Sequence, residues 1–238
     1  MYSILIFIYI YFINLFFMKM KNELFSIICC MLLLKAHSEN SSYNYNSYSA
    51  VLTNTNLSGQ TLSSSNSDES VVYINSTGIT IESSTIQKLS GDSSNTENCE
   101  FYRVNAAILV QEGGVIITDG TISTAAKGAN AVCAINSGTV TISGTTILSK
   151  GSDSTRGLHS TYVGTITASD VTISSTGGSC VTLANDRWEG TVKCTGCTLS
   201  TAGAGSQLIY STGTITVSKK IGTPVEPKWK LLKEKILQ

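Results

Sequence analysis

Aliphatic side chains recur in this chain at an almost constant interval of roughly 25 residues, and that interval limits the fold more than any other feature. Ile81, Ile117, Ile142, Ala168, Cys194 and Val217 form one column. Five residues further on lie Ile86, Ile122, Ile147, Ile173 and Leu199. Two residues before the first column lie Ile79, Val115, Val140, Ile166, Val192 and Ile215. Leu57 and Leu62 repeat the five-residue offset in a weaker, earlier unit. The step from Ile81 to Ile117 is longer than the others and marks an insertion of about ten residues.

The text around the columns repeats as well: Gly138-Thr-Val-Thr-Ile, Gly164-Thr-Ile-Thr-Ala, Gly190-Thr-Val-Lys-Cys and Gly213-Thr-Ile-Thr-Val. Each is a glycine turn followed by strict alternation, apolar on one side and mostly threonine on the other, the pattern of a half-buried strand. A second apolar patch opens most repeats: Val71-Val-Tyr-Ile, Ala107-Ile-Leu-Val, Val132-Cys-Ala-Ile, Val181-Thr-Leu and Leu208-Ile-Tyr. About three short strands per repeat, separated by Gly, Ser, Asn and Asp, predict a solenoid, because one repeat cannot bury its apolar side without a neighbour. The expected fold is all-β: a right-handed parallel β-helix of about six rungs over residues 50–218, since parallel crossovers are right-handed. A β-sandwich also has short strands, but nothing in it holds columns at so fixed a period.

The flanks differ from this body. Residues 1–17 are uncharged and almost wholly apolar. They precede Lys19, Lys21, the apolar run Phe25–Leu34, and small residues Ala36 and Ser38. From Met18 or Met20 this reads as a secretory signal peptide cleaved after Ser38; residues 1–17 are an upstream start, a membrane anchor (the one route to a membrane) or part of an atypically long signal. Residues 39–49 form a polar linker or cap. Residues 219–238 are basic, with Trp229-Lys-Leu-Leu-Lys-Glu-Lys-Ile-Leu weakly amphipathic. They read either as a short helix capping the stack or as the point where a longer solenoid is cut. A secreted or surface location follows.

The formal net charge of zero hides unlike regions: residues 39–218 hold 7 basic and 13 acidic side chains, a net −6, while 219–238 hold 6 and 2. About a third of positions 39–218 are Ser or Thr, which leaves few side chains able to carry charge. An acidic body repels phosphate, so nucleic acid is excluded as a partner. After signal removal five cysteines remain, Cys99, Cys133, Cys180, Cys194 and Cys197; an odd number leaves at least one thiol or an intermolecular bridge. Cys194-x-x-Cys197 has no second pair and no nearby histidine, so structural or free cysteines are expected rather than a zinc or redox centre. The sequence does not set the pairing.

Candidate chemistry is sparse. The outward carboxylates Glu82, Glu112, Asp119, Asp153, Asp170, Asp186 and Glu189 are scattered over several rungs, whereas glycosidic cleavage needs two carboxylates held together. Asp119 and Asp170 share a column with Gly144 between them. His159 reads as a surface or wall histidine with no identifiable nucleophile beside it. The turn Asp186-Arg187-Trp188-Glu189 concentrates an aromatic and both charge signs where neighbouring rungs carry Ser, Thr and Gly. It reads either as a binding spot for protein or a sugar face, or as an ordinary loop with Trp188 folded onto the wall. In the insertion 87–105, Asp92, Glu97 and Tyr102 are further binding candidates. Asp92, Glu97 and Glu100 offer oxygens to calcium without an EF-hand pattern, so no cofactor is indicated. The threonine columns Thr139, Thr165, Thr191, Thr214 and Thr141, Thr167, Thr216 resemble ice-binding arrays, yet Ile116 and Lys193 interrupt them and threonine suits any solvent-facing strand. Asn40, Asn56 and Asn75 stand in glycosylation sequons.

Ser90-Gly-Asp-Ser-Ser-Asn-Thr-Glu-Asn, Phe101-Tyr, Asn105-Ala, Asn185-Asp-Arg with its Gly190-Thr-Val strand, and Ile209-Tyr-Ser-Thr give the chain a likeness over residues 70–218. It resembles large secreted β-helix proteins described as adhesin-like or carbohydrate-binding, of the pectin-lyase-like fold. The resemblance implies secretion and a β-helix. It departs in two places: Trp188-Glu189 replace an expected glycine run, and further rungs after Ser218 are missing. The expected role is a non-catalytic surface or secreted protein in adhesion or contact with polysaccharide, a host or cell-surface glycan, or protein. The alternatives are a degenerate or truncated polysaccharide lyase or hydrolase, and a purely structural surface protein.

Overall fold

The computed structural model describes residues 47–95, 99, 102, 104–186 and 188–218. The apolar amino terminus, the basic carboxy-terminal segment, Glu97, Glu100 and Arg187 lie outside the described residues, as do the expectations placed on them.

The described chain is a parallel β-solenoid with three sheets. The first sheet stacks Tyr48–Val51, Ser70–Ile74, Ile108–Gln111, Val132–Ile135, Arg156–Ser160, Val181–Asn185 and Gln207–Ser211. The second stacks Leu57–Ser58, Ile79–Glu82, Gly114–Thr118, Thr139–Ser143, Thr165–Ser169, Thr191–Thr195 and Thr214–Ser218. The third stacks Thr61–Ser64, Thr85–Lys88, Thr121–Thr124, Thr146–Ser149, Thr172–Ser175 and Thr198–Thr201. Each pass through the three sheets is one coil. Six coils have all three strands, and the seventh shows two among the described residues.

The columns read from the sequence are the register of the ladders. Ile81 pairs Ile117, which pairs Ile142, then Ala168, Cys194 and Val217. Ile86, Ile122, Ile147, Ile173 and Leu199 pair in the same way in the third sheet. All these side chains face one interior, where Ile142, Ile147, Ile173 and Leu199 are fully buried. In-register stacking puts like beside like about every 4.8 Å, so the core is a set of aliphatic ladders rather than a jigsaw of unlike shapes.

The first sheet behaves differently from the other two. In the second, buried and exposed residues alternate, as in Thr139–Ser143 and Thr165–Ser169. In the first, Ile108–Gln111, Val132–Ile135 and Arg156–Ser160 are buried at every position. Strands buried on both faces read as continuous apolar runs rather than alternations, which explains the opening patches. The fifth coil has no such patch: its strand is Arg156-Gly-Leu-His-Ser, and only Leu158 belongs to the apolar core.

Two side-chain devices mark the interior, one between coils and one within a coil. The last position of the third sheet is an inward polar ladder, Ser64, Lys88, Thr124, Ser149, Ser175 and Thr201, all buried. Lys88 ends inside the preceding turn, its ammonium donating to the carbonyls of Asn66 and, at 2.8 Å, Glu69. The second device is a disulfide between Cys194 and Cys197 across the turn from second to third sheet, with both residues buried. Cys99, Cys133 and Cys180 are buried thiols, so Cys194 and Cys197 are the bridged pair among the described cysteines.

Candidate functional site

The corner between the first and second sheets has a left-handed backbone on four consecutive coils. Glu112, Ser137, Val163 and Glu189 stand at equivalent places, with φ of 56°, 63°, 63° and 59°. On the last three coils the turn is one residue longer, and Asn136, Tyr162 and Trp188 precede these with φ of 47°, 47° and 60°. Non-glycine residues adopt this region only where the surroundings enforce it. Here the enforcing contact is the next coil: Ser137 N–H donates to the Tyr162 carbonyl at 3.1 Å, and Val163 N–H to that of Trp188 at 2.9 Å.

A glycine column comes next: Gly113, Gly138, Gly164, Gly190 and Gly213. A methyl group added to Gly113 would lie 2.6 Å from the Ser76 carbonyl oxygen, and one on Gly138, Gly164 or Gly190 would strike backbone of an adjacent coil harder still. These glycines are required by close backbone approach, not by φ. Behind the sixth turn, fully buried Asn185 donates to the Gly190 carbonyl at 2.7 Å. Its side-chain oxygen accepts from the backbone N–H groups of Thr212 and Gly213, each at 3.1 Å. The turn carrying Trp188 is therefore braced on both sides.

The predicted cluster Asp186-Arg187-Trp188-Glu189 divides in the structure. Asp186 turns along the wall: one carboxylate oxygen lies 3.8 Å from an Arg156 guanidinium nitrogen and the other 3.3 Å from His159 Nε2. Arg156 also donates to the Ser154 carbonyl at 2.8 Å. His159 is wholly buried, and the Asp186 side chain is 12% exposed. His159 is thus a wall histidine coupled to a carboxylate, a pairing that their distance along the chain hides. Trp188 points the other way and is 49% exposed, with Val163 one coil earlier at 57%. Tyr162, beneath Trp188 in the ladder, is partly exposed. Neither Glu112 nor Glu189, both exposed, forms an ion pair with a described residue.

Tyr162 and Val163 escaped the motif search. Their signal was the interval itself, since Tyr162 stands one full repeat before Trp188.

Asp92, the described carboxylate of the insertion, does not join this corner. Asp92 follows the third sheet, at a different corner, and its carboxylate accepts the Lys127 backbone N–H at 2.9 Å. That makes Asp92 a pin between coils. Tyr102 is partly buried. Asp119 and Asp170 each lie against a glycine of the next coil, Gly144 and Gly196, and so are not a convergent pair. Among the described residues no group of three His, Cys, Asp or Glu side chains could hold a metal ion. The threonine columns hold their register on the second sheet, interrupted by Ile116 and Lys193 as the sequence indicates.

Fold and corner together define a parallel β-solenoid with aromatic residues, Tyr162 and Trp188, at successive corner turns. No protein-family model, curated protein or solved structure matches this chain.

Proposed function

We propose that this chain is a non-catalytic, secreted or surface-displayed solenoid of adhesin-like type that contacts polysaccharide through the 186–190 turn. One observation carries the reading: Trp188 stands half exposed on a turn whose backbone is hydrogen-bonded by Asn185 and by Val163 of the preceding coil. An exposed indole offers a flat apolar face and a polar N–H, which suits the face of a sugar ring. The scattered carboxylates support a binder over an enzyme. Asp186 is committed to Arg156 and His159, and Asp119 and Asp170 lie against glycines of the next coil.

The test is a glycan-array screen of the purified protein and its Trp188→Ala variant, with and without calcium. Saturable binding that falls in the variant is expected. Cleaved oligosaccharide would overturn the non-catalytic reading, and absence of binding by a protein with a β-type circular dichroism spectrum would overturn polysaccharide contact.

A further inference from the structure

We propose that Asn75 is an N-glycosylation site whose first sugar lies against the ring of Tyr73. The inference rests on the secretory route in the reading above and on none of its binding chemistry.

Tyr73-Ile74-Asn75-Ser76-Thr77 is a sequon with an aromatic residue two places before the asparagine and a threonine two places after it. Residues two apart on an extended chain point to the same side. Val72 and Ile74 belong to the interior cluster, so Tyr73 and Asn75 both face out. Asn75 is the first residue beyond the strand Ser70–Ile74, and both it and Thr77 are exposed. A bulky, polar glycan at that turn disturbs no packing.

The ring that meets the sugar is already positioned. Tyr73 stacks on Tyr48 of the preceding coil, with ring centroids 5.2 Å apart and planes 15° from parallel. Its hydroxyl donates to Gln111 Oε1 of the following coil at 2.9 Å. Tyr73 nonetheless stays partly exposed. A pyranose has an apolar C–H face, and an aromatic side chain beside the point of attachment gives it apolar surface. Tethering makes that contact intramolecular, so even a weak one is populated.

Asn56-Leu57-Ser58 is the contrast. Asn56 is exposed too, but Asn54 stands two places before it, where Tyr73 stands before Asn75. Its Oδ1 accepts the Thr80 N–H at 2.9 Å, which ties the amide to the next coil. Asn40 lies outside the described residues.

The donor is a lipid-linked oligosaccharide pyrophosphate of a secretory lumen. The Asn75 Nδ2 forms a bond to the anomeric carbon and gives up one proton. The bond from that carbon to the pyrophosphate oxygen breaks, and its electron pair leaves with the phosphate.

The full chain is expressed in insect cells, and protein from medium and lysate is mapped by mass spectrometry. Release of glycans by peptide N-glycosidase in heavy-oxygen water marks each occupied asparagine as labelled aspartate. Secreted protein labelled at Asn75 is expected, and Thr77→Ala should abolish that label. Secreted protein bare at Asn75 would overturn the assignment and leave the secretory reading standing. Protein held in the cytosol and bare at Asn75 would sink both. The contact with Tyr73 has its own readout. Trimming the glycan to its first sugar should leave the urea midpoint where it was, whereas Thr77→Ala should lower it by roughly 0.2–0.5 M. In a Tyr73→Ser background, where the sequon is intact, that drop should vanish. An equal drop in both backgrounds would refute the contact between sugar and ring.

Discussion

The carboxylate of Asp119 fills the space where Gly144, one coil further on, has no side chain; a methyl group at Gly144 would overlap Asp119 Oδ1. Asp170 stands in the same relation to Gly196 two coils along. All four have left-handed backbones at the turn from second to third sheet, with φ between 52° and 68°. Aspartate and glycine therefore alternate because a carboxylate on one coil uses the room left bare on the next.

Gly144→Ala should consequently be mild. An aspartate side chain can swing aside, leaving mainly the left-handed penalty of about 1–2 kcal/mol. Gly164→Ala meets the Ala134 carbonyl oxygen, which is backbone and cannot swing. That variant should lose about 3 kcal/mol or more, or fail to fold. Urea unfolding of the two ranks them, and a larger loss at Gly144 would refute the close-approach account of the glycine column.

Lys88 makes stability depend on alkaline pH. Burial pushes its ammonium down to about 8 from 10.5, against the opposing pull of Glu69 and Asp68. Between those values the unfolded chain holds the proton more tightly, so stability rises with pH from about 8 to 10.5. The gain is on the order of 1–3 kcal/mol. Lys88→Met should flatten that rise, whatever its cost at neutral pH from the unbonded carbonyls of Asn66 and Glu69. Denaturation midpoints of both proteins across this window test it, and parallel profiles would be the contrary result.

Asp186 answers the charge of Arg156, whose side chain is only 10% exposed. Asp186→Asn should cost about 1–3 kcal/mol, because a buried guanidinium loses its counter-charge. Arg156→Met on top of it should recover part of that loss. A double-mutant cycle reads the coupling directly, and additive losses would mean that the pair does not interact.

The disulfide predicts a labelling pattern. In protein unfolded without reduction and treated with iodoacetamide, the described cysteines should carry label at Cys99, Cys133 and Cys180 but not at Cys194 or Cys197. Replacing the bridged pair with alanine should cost about 2 kcal/mol by loop closure, little because the loop is short. Peptide mapping and unfolding curves check the two parts separately.

The inward ladders were legible because each rests on a chemical type that solvent exclusion demands at a fixed interval. The fifth coil's first strand was not, since Arg156, His159 and Ser160 are buried for reasons other than apolarity. Trp188 stands out in the sequence as an aromatic in a charged turn, but Tyr162, at the same place one coil earlier, emerges only in register. The corner hides from a motif search because Glu, Asn, Tyr and Trp share one backbone conformation there without sharing chemistry. The bond from Asp186 to His159 joins residues on adjacent coils, and no local pattern announces it.

Backbone hydrogen bonds at the corner reach only to the adjoining coil. Such a wall has no intrinsic length. Duplicating one coil would lengthen the corner by one site without asking the remaining core to change, and deleting one would shorten it as simply. The number of turns along the corner is then a quantity that selection can count up or down, one coil at a time, while the chemistry of each turn drifts on its own.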